Sequence, residues 1–200
     1  MPDVQWDREG LEMDAFDAAW AVSKMPLDYD SIRDFGRQGL RADFIDPKTG
    51  GRYDMTASRR DSVLYPNETE VTVTAPSSPI GTFAVGRFID VDDDSENRPK
   101  QQAYRSVGLP PVGTTYPLNI RVRPDMRRRG VATAIYDLIN EMQERRGGKG
   151  LVTQSAALNQ DSLPFWASIL GRDLPDDMKR IDRSELLRYP SSTERRREQN

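Results

Sequence analysis

Apolar positions recur along the chain in two rhythms, and each marks a different kind of element. Near the start, Met13, Phe16 and Trp20 fall three and four residues apart with acidic residues between them, the spacing of a helix with one buried face. Pro26 limits that helix. A second short helix is expected over 30–36, started by Asp or Ser caps. Asp46-Pro47-Lys48-Thr49-Gly50-Gly51 then reads as a turn between two short extended segments. From Glu70 the period changes to two: Val71, Val73 and Ala75 alternate with Glu70, Thr72 and Thr74, giving one apolar and one polar face. Ser77-Ser78-Pro79 interrupts the run and residues 80–89 resume it, which predicts a β-hairpin.

Residues 91–112 keep neither period and are rich in Asp, Gln, Pro and Arg, as expected of a long polar loop or insert. Alternation returns at Leu118, Ile120 and Val122, and Pro124 closes that strand. A helix follows, with Val131, Ile135, Leu138 and Met142 as its apolar stripe and Gly147-Gly148 at its end. Residues 151–157 read as the next strand and 162–170 as the next helix. In 178–189 the run KRIDRSELLR is closer to a helix than a strand, and the charged tail 191–200 reads as disordered. The order hairpin, strand, helix, strand, helix predicts an α/β (α+β) fold, with a mixed, mostly antiparallel sheet flanked by helices.

Composition narrows the chemistry more than the fold. The 200 residues include neither His nor Cys. That excludes a Ser-His-Asp triad, a thiol nucleophile, a disulfide framework and the common zinc sites. No metal ligand set is assigned, although carboxylates remain able to hold Mg²⁺ or Ca²⁺. Acid–base work falls to Asp, Glu, Tyr, Lys, the backbone or water. Lys and Arg number 29 against 32 Asp and Glu, so no global basic field favours duplex nucleic acid. No apolar run approaches the roughly 20 residues of a membrane span, and the acidic start MPDVQWDREG lacks the order of a secretory signal. The expected location is the cytoplasm.

The segment Val122-Arg123-Pro124-Asp125-Met126-Arg127-Arg128-Arg129-Gly130-Val131-Ala132 carries the chemistry. A strand ends, a basic turn follows, and a helix opens at a glycine. Backbone N–H groups at a helix start carry partial positive charge. Small residues at Gly130 and Ala132 let an anion approach that backbone, and arginines add charge-assisted hydrogen bonds. An isolated RRRG is more often a solvated turn. Here the preceding strand and the amphipathic helix favour an anion site, suited to a pyrophosphate.

The pattern V-x-P-x-x-R-x-x-G-x-A resembles the acetyl-CoA-binding motif of the GNAT superfamily of N-acetyltransferases, with Arg127, Gly130 and Ala132 in the three defining places. Asn159-x-x-Ser162-x-x-Phe165-Trp166-x-x-x-Leu170-Gly171 is similar to a second family segment, with Ser and Trp in place of Ala and Tyr. The resemblance covers residues 70–171, about half the chain. It implies an acetyl-CoA-dependent transfer to a primary amine by direct attack, and a GNAT-type sheet whose central strands splay apart. On that resemblance, residues 1–69 supply helices and a hairpin completing the fold, 70–190 form the acetyltransferase core, and 191–200 are a tail.

The resemblance also implies roles. The backbone of Arg128, Arg129, Gly130, Val131 and Ala132 would hold the pyrophosphate with Arg127 beside it. The strand edge at Ile120, Arg121 and Val122 would meet the pantetheine arm, and Asn159 would approach the cofactor from the following strand. Trp166 stands where many relatives keep a proton-donating Tyr, and indole lacks such an acid, so Trp166 reads as a packing residue. No Glu lies on the strand 118–122, where some relatives keep a base. Asp90, Asp92, Tyr116 and Ser155 are the nearest substitutes, with Tyr116 the leading proton-transfer candidate. The expected partners are acetyl-CoA and an amine acceptor, with no membrane or nucleic acid, in a monomer or homodimer. The acidic run 90–94 would suit a cationic acceptor. The alternative is a catalytically silent GNAT-fold protein that binds CoA or a partner protein.

Overall fold

The computed structural model describes residues 27–36, 39–60, 68–75, 81–91, 111–154, 158, 162–171 and 185–197. Period-two alternation builds the larger part. Six strands, β1 (Leu27–Phe35), β2 (Gly39–Ile45), β3 (Arg52–Arg60), β4 (Glu68–Thr74), β5 (Thr82–Asp90) and β6 (Thr115–Val122), lie side by side in chain order. Every pairing in that sheet is antiparallel. Opposed residues share a face, so Ala42, Met55, Val73 and Ala84 form one buried row, and Leu40, Ala57, Val71 and Gly86 the next. The other face is polar and tied across strands by Arg41–Asp54 at 2.9 Å, Arg52–Asp43 at 2.7 Å and Arg87–Glu70 at 3.3 Å.

After β6 come a 3₁₀ turn (Pro124–Met126), α1 (Val131–Arg145), β7 (Val152–Gln154), α2 (Leu163–Leu170), β8 (Leu186–Arg188) and α3 (Ser192–Arg197). α1 lays Val131, Ala134, Ile135, Leu138, Ile139 and Met142 on the apolar face of the sheet. Gly86 permits that approach: a Cβ there would sit 2.7 Å from Ile135 Cγ2. β7 pairs antiparallel with β8 in a second, two-stranded sheet. The fold is thus α+β, with a six-stranded antiparallel sheet and three helices among the described residues. No helix among those residues is long and apolar enough to cross a membrane.

Four expectations change. The sheet expected to be mixed is antiparallel at every strand pairing among the described residues, because each of its six strands returns beside the one before it. The helix expected over 30–36 is instead strand β1. Its cap-like residues serve a bulge: Asp28 Oδ1 accepts the N–H groups of Asp30 and Ser31, and Ser31 Oγ accepts the Asp43 N–H at 2.7 Å. Those bonds offer the backbone an alternative to the helix ladder, and pairing with β2 decides. At the end of the run expected as helical, Leu186–Arg188 form the short strand β8, because Leu187 is buried and its backbone pairs with Thr153; residues 178–184 lie outside the described residues. The tail expected as disordered forms α3, with Arg195 at 1 % exposure. The helix read around Met13–Trp20, most of the 91–112 insert, Asp92, Ser155 and Asn159 lie outside the described residues.

Candidate functional site at the start of α1

β6 and β7 meet at one point. Thr115 forms an isolated parallel bridge with Leu151, and the Thr115 N–H reaches Gly150 O at 3.0 Å. Beyond it, β6 pairs only with β5 and β7 only with β8 among the described residues. A bulge lies on β6 next to that point: Arg87 opposes Asn119 and Phe88 opposes Pro117, which leaves Leu118 extra. Bulges bend a strand and raise its twist, and Pro117 offers no N–H for a ladder there. α1 begins after the carboxyl end of β6.

The turn before α1 is held in an unusual shape. Arg128 has φ 57, the one positive φ outside glycine among the described residues, and Gly130 has φ 78. A left-handed backbone costs a non-glycine residue roughly 1–2 kcal/mol. The first bond of the α1 ladder runs from Ala134 N–H to Gly130 O at 2.9 Å, so the N–H groups of Val131, Ala132 and Thr133 precede the helix's own acceptors. No side chain caps this end and no acidic residue stands in the first turn. The electrostatics there favour an anion.

The arginines divide by task. Arg123 forms a two-pronged pair with Asp125 and lies 4.0 Å over the Phe83 ring. Arg129 reaches back to the β2–β3 turn, where its guanidinium donates to Asp46 Oδ2 at 2.6 Å. Burial works against ionisation of Asp46, but donors from Lys48 N–H, Thr49 and Arg129 outweigh it and hold the carboxyl below its usual range. Arg127 is exposed, and its Nε donates to Val122 O at 3.2 Å. The side chain of Arg129 is therefore committed to Asp46, and any contact it makes with an anion runs through its backbone. The Val122 carbonyl, expected to face a pantetheine arm, already accepts from Arg127. Ile120 is half-buried opposite Gly86, and Arg121 is exposed opposite Val85.

The candidates for proton transfer fare differently. Asp90 accepts from Thr115 Oγ1 at 2.7 Å, from Gln143, and from Arg59 at 3.3 Å. That makes it a brace between β5, β6 and α1. Tyr116 lies opposite Ile89, beside the Thr115–Leu151 bridge, and is 9 % exposed. Trp166 is 1 % exposed, with its ring edge-on to Tyr136, Phe165 and Tyr189. Burial drives the Tyr136 hydroxyl upward, against a hydrogen bond shared with Trp166, and Tyr116 adds to the rise. Tyr136 and Asp46 were invisible as site neighbours in the sequence. Their signals, an aromatic on the α1 stripe side and an aspartate in a D-P-K-T-G-G turn, are both ordinary structural ones.

Neither known protein families, nor curated proteins, nor solved structures give a match to this chain.

Proposed function

We propose that this chain is an acetyl-CoA-dependent N-acetyltransferase of GNAT type, transferring acetyl to a primary amine on a small molecule, a lysine or a protein N-terminus. The observation that carries the reading is the junction itself. A V-x-P-x-x-R-x-x-G-x-A run leads from a bulged strand into a helix whose first N–H groups have no ladder acceptors. The single bridge between β6 and β7 supports the splayed central strands that the GNAT reading needs. In this reading the start of α1 holds the pyrophosphate and the wedge between the two strands takes the pantetheine arm. A neutral amine then attacks the acetyl carbonyl, forming C–N and breaking C–S. The amine's proton leaves through Tyr116 or water and the thiolate is protonated on release. Backbone N–H groups near the β6 bulge would stabilise the oxyanion, and fixed geometry would supply much of the remaining acceleration.

A binding-only reading has one observation in its favour: Trp166, in the place of the family's acid, is buried among aromatics. Calorimetry with acetyl-CoA, followed by thiol release across an amine panel, separates the two. The expected result is binding, with Gly130→Glu abolishing it by placing an anion where the pyrophosphate belongs. Gly130→Ala carries the same positive-φ strain without the charge, and should retain most of the affinity. Wild-type affinity in Gly130→Glu sinks the site assignment. Binding without thiol release on any amine favours the silent protein.

A further inference from the structure

The structure assigns Asp46 as the positioning residue of the loop that opens α1, acting through Arg129; its consequence for acetyl-CoA rests on the reading above. Asp46 is 83 residues from Arg129 in sequence and its side chain is wholly buried. Its own turn fixes it first. The Gly50 N–H reaches Asp46 O at 2.7 Å, and the Asp46 N–H reaches Gly51 O at 2.9 Å. The carboxylate then accepts the Lys48 N–H at 2.9 Å on Oδ1 and the Thr49 hydroxyl at 2.8 Å on Oδ2. Arg129 completes the set at 2.6 Å. A rigid acceptor thus stands ready on the β2–β3 turn before the loop arrives.

Arg129 sits between the two left-handed residues, Arg128 and Gly130. An extended or helical backbone at Arg128 is the cheaper choice for an arginine, so the observed one needs outside support. Support comes from both sides. Upstream, Arg127 is tied to Val122 O, and downstream, Arg129 is tied to Asp46. The second tie is the stronger, because both of its partners are charged and the carboxylate is buried. With the loop pinned there, the N–H groups that start α1 are held in a fixed array. Sub-ångström placement of such donors governs how well they hold a ligand.

The test uses Asp46→Asn in the full chain, with Arg129→Met as a second variant that leaves the β2–β3 turn its own bonds. Hydrogen exchange examines the tether without any ligand. Amides 128–132 should exchange about tenfold faster in either variant, with β3 and β4 unchanged; wild-type exchange at 128–132 overturns the inference. Titration then reads the consequence. Acetyl-CoA affinity should fall about tenfold, while S-acetylpantetheine, which lacks the pyrophosphate, should bind or turn over as in the wild type. A merely structural defect would weaken both. If the wild type binds acetyl-CoA and Asp46→Asn binds it equally well, the positioning role is wrong and the cofactor reading stands. If the wild type binds no acetyl-CoA, the cofactor reading falls, and the exchange result alone decides the tether.

Discussion

Over the body of α1 even the polar side chains are buried and bonded, whereas the residues that open the helix leave backbone donors without ladder acceptors. Asp137 accepts from Tyr189 at 2.8 Å and from Arg195 at 3.1 Å. Asn140 bonds Glu144 and Pro190 O, and accepts the Leu151 N–H at 3.3 Å. Glu141 accepts from Arg145 and Arg196, and Gln143 donates its side-chain amide to Asp90. These bonds fasten α3, β8 and β5 around the helix. At its start, the nearest bonds hold the loop's side chains and leave the helix's first N–H groups uncapped. Buried polar groups that are paired help specify a structure. Backbone donors left without ladder acceptors by a pinned loop are what an anion can use. One helix therefore serves as a structural axis over most of its length and leaves uncapped backbone donors over its first turn, where the proposed function puts its anion.

The largest test of this contrast strikes the body. Arg195→Ala leaves Asp137 buried without its ionic partner, and unfolding in urea should show a loss of about 3–5 kcal/mol. Asp137→Asn combined with Arg195→Met should cost clearly less, since neither charge is then stranded. A single variant as stable as the wild type would show that α3 does not fasten the helix. Next, Gly86→Val should destabilise by about 1–3 kcal/mol through overpacking, because its new Cβ meets Ile135. Adding Ile135→Ala should recover part of that; no recovery would place the cost elsewhere.

The smallest effect is one of pH. The Asp46 carboxyl is held low, so its contribution is complete above the unfolded value of about 3.9 and is lost as pH falls through the folded value. Burial, against Arg195 and Tyr189, pushes Asp137 up. Its protonation on acidification relieves the native state, which is the opposite sign. Thermal melts between about pH 2 and 6 should thus lose less stability on acidification in Asp46→Asn than in the wild type. Parallel curves would mean that the Asp46 pair adds nothing measurable.

Strands with one wet face were legible because alternation follows directly from the pleat, as in Val71, Val73 and the threonines between them. α1 and α2 were legible from apolar spacing and from glycine stops. β1 was not, because Asp28 and Ser31 make the same local bonds in a bulge as at a helix cap. α3 was hidden for a different reason. Its Arg195 pairs with Asp137, 58 residues away, and SSTERRREQN by itself carries every sign of a solvated tail. Within the site, residue spacing opened the helix at Gly130, which the structure makes the cap residue before Val131. It did not disclose the left-handed Arg128 or the task of Arg129, since both depend on a carboxylate from a turn that, as sequence, looks like any other.

The irregular β1 also bears on how copies of this chain behave in concentrated solution. A strand at the border of a sheet is a template for another chain's strand, and long flat borders seed aggregates. β1 pairs with β2 alone among the described strands, and its register breaks between Asp28 and Arg33. Inside that break the Asp30 N–H turns back to Asp28, so it is withdrawn from any visiting strand. Exposed Asp30, Arg33 and Asp34 put charge along the same border. At the other border, Pro117 and the β6 bulge interrupt the ladder a second time. Both margins of the sheet are thereby poor seeds for intermolecular growth, and the bulge that hid β1 from sequence reading helps keep the chain from aggregating.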